Sequence, residues 1–372
     1  MKKRTFASMN IPSIFNCSND MALAAHVRQY LPPKRIQCME RDLAELARVW
    51  EGTRFAGPWG WSLATKQRYK QMGVPVEALP SDEWLEAVRR LSSREFACGY
   101  VKELLEELDD PRLLGGDMRW CDRHSFDDAA FSTSKSMSPT PTNRCPRLRP
   151  TDVPDSDFVG QKGLSQFISK SPWSSSGRGV FVAEVGGQVS TALCQGDKLR
   201  ISDFPHSAAK RLQGFLSAQG GFLMDRFYAD KVLDFAMEFF IHDDHAVEFL
   251  GYSVFATGDH GAYGYNYVER QDALLRRIDV DAALLNRLIA HHRAHLAKTA
   301  YRGPVGIDML KTADGSVHPC LEINFRLNMG ILALLLHERY GSHATVDLTP
   351  RRGRGFQAKL EQGKFFLQMN AS

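Results

Sequence analysis

Gly303-Pro304-Val305-Gly306-Ile307-Asp308-Met309-Leu310 and Pro319-Cys320-Leu321-Glu322-Ile323-Asn324-Phe325-Arg326-Leu327 flank a turn at Asp314-Gly315. In the second segment Leu321, Ile323, Phe325 and Leu327 alternate with Glu322, Asn324 and Arg326, so one strand face is apolar and the other carries acid, amide and base in fixed order. Asp308 is the one acid of the first segment, and counting back across the turn puts it opposite or next to Glu322. A two-residue Asp-Gly turn would leave the two on opposite faces. A shared face requires an odd loop or a bulge. Two carboxylates so close repel unless a cation lies between them, and with an amide oxygen they form the hard oxygen set that magnesium prefers. A solvated strand in which Glu322 pairs with Arg326 is the alternative, worth roughly 0.5 kcal/mol.

Upstream, Lys170 ends an apolar strand and leads into Ser171-Pro172-Trp173-Ser174-Ser175-Ser176-Gly177-Arg178-Gly179 before the next strand begins. Small residues and glycine in such a loop expose backbone N–H groups and hydroxyls that close over phosphates, and Lys170 adds a point charge. No Walker pattern is present, and the glycine pair lacks the third glycine and the strand-then-helix setting of a dinucleotide fold. Read alone, the loop is equally a flexible hairpin tip.

The rest of the chain alternates in type. Ile14-Phe15, a polar turn at Asn16 to Asp20 and Met21-Ala22-Leu23-Ala24 read as strand, turn and capped helix, with Asn16, Asn19 and Asp20 as caps and a cleft-facing place beyond the strand end as their alternative. Helical spacing follows at 40–50 and 82–91, and a short strand is expected at Arg54-Phe55-Ala56. Ser92-Ser93-Arg94-Glu95 has capping-box form and opens a helix to Leu108. Residues 125–156, crowded with Ser, Thr, Pro and Asp, read as a long connection. Strand patterns then dominate at 167–170, 179–185, 222–228, 233–241, 249–256, 305–310 and 317–327, with helices at 281–300 and 331–339.

The bulk properties exclude several classes. Of 372 residues, 47 are basic and 43 acidic, a net charge of +4 that gives no polyanion-binding signature. Arg351, Arg352 and Arg354 read as a solvated run. The seven cysteines (17, 38, 98, 121, 145, 194 and 320) include no C-x-x-C pair, which fits reduced thiols, and no apolar run reaches the ~20 residues of a membrane span or the core of a signal peptide. A cytoplasmic protein with no nucleic-acid or membrane partner is expected.

A strand-end lysine, a small-residue loop, a later strand, and an acid followed some fourteen residues on by Glu-x-Asn-x-Arg resemble the ATP-grasp superfamily over residues 160–330, most specifically at Leu321 to Arg326. The resemblance implies an α/β plus α+β chain: a small N-terminal α/β domain, then a two-subdomain ATP-grasp fold with mainly antiparallel sheets. The expected division is 1–90, 91–220, 221–345 and a C-terminal tail, 346–372. It implies ATP and Mg2+ as cofactors, with Asp308, Glu322 and Asn324 matching metal ligands and Arg326 with Lys170 matching catalytic charges. Lys170 and the lid Ser174, Ser175, Ser176, Gly177, Arg178 and Gly179 match phosphate contacts. Asp225, Arg226, Phe227 and Tyr228 match a hinge strand along the adenine, and Arg94 stands where the superfamily has a helix-start lysine.

The activity so implied is a carboxylate–amine or carboxylate–thiol ligase that proceeds through an acyl phosphate and releases ADP and phosphate. A small-molecule or peptide carboxylate and an amine or thiol would be its partners, with a homodimer as the default assembly. A kinase acting on an alcohol and a nucleotide-binding protein without turnover are the alternatives. Gly261 to Tyr267 is the expected substrate loop, with Tyr263, Tyr265 and Asn266; Glu238 shares a strand face with Asp234, where the resemblance implies polar residues toward nucleotide or substrate and exposed alternation on an antiparallel sheet is the alternative. His291 and His295 have i,i+4 spacing without an intervening glutamate and read as a solvated helix face.

Overall fold

A computed structural model describes residues 11–115, 118–126, 165–174, 179–190, 198–258, 263–349 and 355–369. Lid positions Ser175, Ser176, Gly177 and Arg178, most of the 125–156 connection and the 351–354 arginines lie outside the described residues. The chain forms two compact units, one of Asp117–Ser169 and Phe181–Phe227, the other of Met1–Gly116, Lys170–Val180 and Tyr228–Ser372.

The smaller unit is built on four strands, β1 (Arg119–Asp122), β2 (Ser165–Lys170), β3 (Val180–Val185) and β4 (Gly221–Arg226), in the order β1-β4-β2-β3. β1 and β4 run antiparallel. The helix His206–Gln219 turns Ala208, Leu212 and Leu216 inward, and these join Cys121, Phe181, Phe222 and Met224 in one apolar core. Burial of such side chains contributes about 1.5–3 kcal/mol each.

In the larger unit the N-terminal stretch is mostly helical. Helices Asn19–Ala25, Lys34–Asp42, Leu63–Gln71, Asp82–Leu91 and Arg94–Leu108 follow one another, and a parallel bridge joins Ile14 to Pro58. Serines set three of the starts: the hydroxyls of Ser62, Ser81 and Ser93 accept from Thr65 N, Trp84 N and Phe96 N. The cap at the last of these is Ser93, one residue after the serine of the S-x-x-E pattern. Residues 54–56 form turns instead of the expected strand.

Its sheet has eight strands: β5 (Lys231–Ile241), β6 (Val247–Thr257), β7 (Tyr263–Tyr267), β8 (Gly303–Thr312), β9 (Val317–Asn324), β10 (Val346–Asp347), β11 (Phe356–Glu361) and β12 (Lys364–Met369). The order is β10-β11-β12-β7-β6-β5-β8-β9, antiparallel throughout. Two expectations change here. Tyr263 to Tyr267 is a ladder strand between β6 and β12 instead of a loop, and the expected tail supplies β10, β11 and β12. Both stretches alternate apolar or aromatic residues with polar ones, the period of a strand.

Phe235, Met237 and Phe239 on β5 and Val305, Ile307 and Met309 on β8 are fully buried on one face. The helix Ala282–Ala297, capped by Asp281, packs on β5 and β6, and Arg94–Leu108 packs on β9. The helix Met329–Tyr340 packs across β5 to β8 and joins Trp50, Trp59, Leu360 and Phe365 in a second core. Among the described residues no helix is long and apolar enough to cross a membrane.

Candidate functional site

The hairpin meets the geometric condition set by its sequence. Thr312 N bonds Ser316 O at 3.0 Å, so three residues form the tip, and the register slips between Asp308 and Leu310. The outcome is direct pairing of Asp308 with Glu322, flanked by Ile307 with Ile323 and Gly306 with Asn324. Directly paired residues of an antiparallel ladder share a face, so the two acids project from the same side. Asn324 Nδ2 donates to Asp308 Oδ2 at 3.1 Å.

Register carries this face inward across the sheet. Glu322, Asp308, Ala236 and Ser253 form one row, and Asn324, Gly306, Glu238 and Gly251 the next. Glu238 is 1 % exposed and accepts from Ser253 Oγ and Asn328 Nδ2, each at 2.8 Å. Glycine is required above it. A Cβ on Gly330 would lie 1.9 Å from Glu238 Oε1, and one on Gly306 would lie 2.0 Å from Asn328 Nδ2. Glu238 is therefore enclosed by its own partners, on the same face as the acids and one row from Asp308.

The electrostatics follow from crowding three carboxylates. Burial, with Glu322 and Glu238 adding repulsion, pushes the Asp308 carboxyl well above the usual carboxylate range. Burial likewise raises Glu238 to about 7 against the two hydrogen bonds that favour its anion. Such a cluster favours the arrival of positive charge. The Cys320 thiol, two residues before Glu322, is pushed up by burial and by Asp308 while Lys170 opposes the shift, so Lys170 acts on the same neighbourhood.

Arg94 enters the cluster from the first turn of its helix. It is buried, and its guanidinium donates to Ser171 O, to Ser174 Oγ at 3.0 Å and to Glu322 Oε2 at 3.0 Å. Arg94 N bonds Pro172 O, and Ser171 N bonds Gly179 O at 2.8 Å, which ties the base of the serine loop to the hairpin acid. Buried Lys170 immediately precedes this loop.

Arg326 lies beyond the end of β9, which stops at Asn324 and not at Leu327 as the alternation suggested. Arg326 N turns back to Asn324 O at 2.9 Å, and Leu327 N bonds Trp59 O. The guanidinium meets Asp20, with Nε at 3.0 Å from Oδ1 and Nη2 at 2.9 Å from Oδ2. Burial works against this cation, but Asp20 and the hairpin acids hold its pKa above the ordinary value. The surface pairing of Glu322 with Arg326 is not formed; Glu322 takes Arg94 and Arg326 takes Asp20. Asp20, Ser174, Glu322, Asn324 and Arg326 line one small pocket of about 10 Å³.

Asp20 takes the alternative to the cap expected of it, a place facing the site. The hydroxyl of Ser18 at the N-cap makes no capping bond, and the Asp20 carboxylate is turned to Arg326. Asn16 bonds Gly60 O and Thr65 Oγ1, bracing the turn. The available signal was position, an acid just beyond the end of a short parallel connection.

The remaining candidates separate. Asp225, Arg226 and Phe227 belong to the smaller unit, where Asp225 is buried and Arg226 exposed, while Tyr228 begins the larger unit's last segment. Asn266 shares the row of Phe255 and Phe365 and is 1 % exposed. Tyr263 Oη donates to Phe365 O, and Tyr265 stands against Tyr267 with Lys364 4.5 Å from its ring centre. Tyr263 and Tyr265 thus alternate with Asn266 and point to the opposite face of β7.

No protein-family model and no curated protein matches the sequence. Among solved structures the chain is similar to the L-amino acid ligase from Bacillus licheniformis, at 10% identity and TM-score 0.35 over 73% of this chain and 48% of that one. It is also similar to biotin carboxylase from Campylobacter jejuni, at 16% identity and TM-score 0.31 over 46% of this chain and 36% of that one. A third is carboxyaminoimidazole ribonucleotide synthase from Aspergillus clavatus, at 19% identity and TM-score 0.29 over 44% and 34%. The match spans less than half the length of each of these chains.

Proposed function

We propose that this chain is an ATP-dependent ligase of the ATP-grasp type, activating a carboxylate for attack by an amine or thiol. The observation that carries the reading is the register pairing of Asp308 with Glu322, with Asn324 bonded to Asp308 on the same face. Two acids and an amide oxygen match Mg2+, and the raised Asp308 carboxyl reflects charge that a cation would relieve. The donor set therefore fits the metal that the resemblance implies.

Asp308, Glu322 and Asn324 would hold Mg2+, which when bound neutralises phosphate charge. Lys170 and Arg326 add positive charge beside the anionic reactants, and Asp20 orients the Arg326 fork. Arg94 fixes the base of the serine loop, at Ser171 and Ser174, against Glu322. The substrate carboxylate would take the γ-phosphoryl group as an acyl phosphate, and the incoming nucleophile would expel phosphate. No covalent enzyme nucleophile is needed.

The test is ADP formation with Mg2+ across panels of carboxylates and amines. Release that requires both a carboxylate and a second nucleophile supports the reading. Release with an alcohol alone indicates a kinase, and ATP binding without release indicates a protein that does not turn over; either result overturns the ligase proposal.

A further inference from the structure

A second cluster lies where the helices Arg94–Leu108 and Ala282–Ala297 meet, away from the hairpin. His291 and His295 stand one turn apart on one face of the latter helix. Both rings reach the same oxygen of Glu107 on the former: His291 Nδ1 lies 2.8 Å and His295 Nε2 3.0 Å from Oε2. One ligand atom from each of the three residues falls within 4.8 Å of the others.

We propose that Glu107, His291 and His295 form a binding site for a divalent transition-metal ion of the zinc type. Two imidazole nitrogens and a carboxylate oxygen are a borderline-soft set that suits zinc, cobalt or nickel, and the nitrogens make it a poor magnesium or calcium site. Ligands at ~2.0 Å from an ion lie roughly 3.3 Å apart in a tetrahedral shell, and the two nitrogen–carboxylate distances of 2.8 and 3.0 Å already stand close to that spacing. The acid is on one helix and the histidines on the other, so the ion would staple the two together.

The surroundings are built for this role. Glu103, one turn before Glu107, places Oε2 4.0 Å from the other nitrogen of His295, from where a change of rotamer brings it into the outer-carboxylate position that steadies a ligating ring. Tyr100, a turn further back, meets the His295 ring edge-on at 5.1 Å and limits its rotation. Side-chain exposure of 10 % for His295, 30 % for His291 and 43 % for Glu107 gives a site anchored on one side and open to water on the other. Arg287, one turn before His291 on the same helix, is taken by Asp110 at 2.7 Å.

Zinc titration of the chelator-stripped full chain by calorimetry, in saturating Mg2+ so that the hairpin acids are occupied, tests the proposal. One zinc site is expected. His291→Ala and His295→Ala should weaken it at least ~100-fold, and Glu103→Gln by on the order of tenfold. Glu107→Gln, at a half-exposed position that leaves folding intact, should weaken it as the histidine variants do. Cobalt in place of zinc should give visible ligand-field bands without a thiolate charge-transfer band. Failure of the wild-type chain to bind zinc, unchanged affinity in His291→Ala and Glu107→Gln, or a thiolate band would each overturn the proposal. None of these outcomes bears on ADP formation.

Discussion

Asp20 grips Arg326 through both carboxylate oxygens, at 3.0 and 2.9 Å, across 306 positions of sequence. The two side chains are only 10 % and 12 % exposed, so the pair is nearly dry. Removing one partner of a buried pair strands the other charge. Asp20→Ala is expected to lower stability by about 3–5 kcal/mol in urea unfolding. It should also lower kcat for ADP formation more than it raises KM for ATP, because the guanidinium loses its orientation. Unchanged unfolding would show that Arg326 does not depend on Asp20.

Arg94 spends its fork on Ser171 O, Ser174 Oγ and Glu322 Oε2. Lysine keeps the charge without the planar geometry. Arg94→Lys is therefore expected to weaken Mg-ATP binding by on the order of tenfold, the worth of one charge-assisted hydrogen bond of about 1.5 kcal/mol. Titration calorimetry measures it, and wild-type affinity would contradict the bracing role of Arg94.

Gly330 in the first turn of the helix Met329–Tyr340 tests the enclosure of Glu238. In an open helix Gly→Ala stabilises by about 1 kcal/mol. Here the new methyl would meet Glu238 Oε1 at 1.9 Å and Ser253 Oγ at 2.3 Å. Overpacking should win, and Gly330→Ala is expected to destabilise by about 1–3 kcal/mol. Thermal unfolding gives the sign directly.

His292 provides a pH test. Burial first, then His295 and His291, depress its imidazole from 6.5 to about 3, and its Nδ1 is hydrogen-bonded to the Tyr100 hydroxyl. Between those values the unfolded chain binds a proton that the folded chain refuses, so stability falls as pH drops below 6.5. From pH 6.5 to 5 the loss from this residue is about 2 kcal/mol. His292→Phe keeps a ring beside Tyr100 and removes this part of the slope. Equal slopes in urea unfolding at pH 7.5 and 5 for wild type and variant would refute the assignment.

The hairpin was the most legible part of the molecule because a period of two forces Glu322 and Asn324 onto one face, and a parity argument at the turn then called for the odd loop that Thr312 and Ser316 close. β7 was misread for the opposite reason. Tyr263-Gly264-Tyr265 carries glycine and aromatics, a loop-like composition, and only the neighbouring β6 and β12 make it a strand. Long-range partners were the least visible. Nothing local in Asn19-Asp20 indicates Arg326, and nothing in Glu107 indicates His291 and His295, because those contacts exist only once helices from distant parts of the chain pack.

In the proposed reaction Asp308 and Glu322 hold a divalent cation together, and ADP formation at graded Mg2+ by the wild type, Asp308→Asn and Glu322→Gln tests that most directly. Each variant removes one of the two facing charges with little change in shape. Activity is expected to fall on the order of 10²-fold or more, with the Mg2+ needed for half-maximal rate shifted upward. Wild-type rates and an unshifted Mg2+ dependence in both variants would contradict the account.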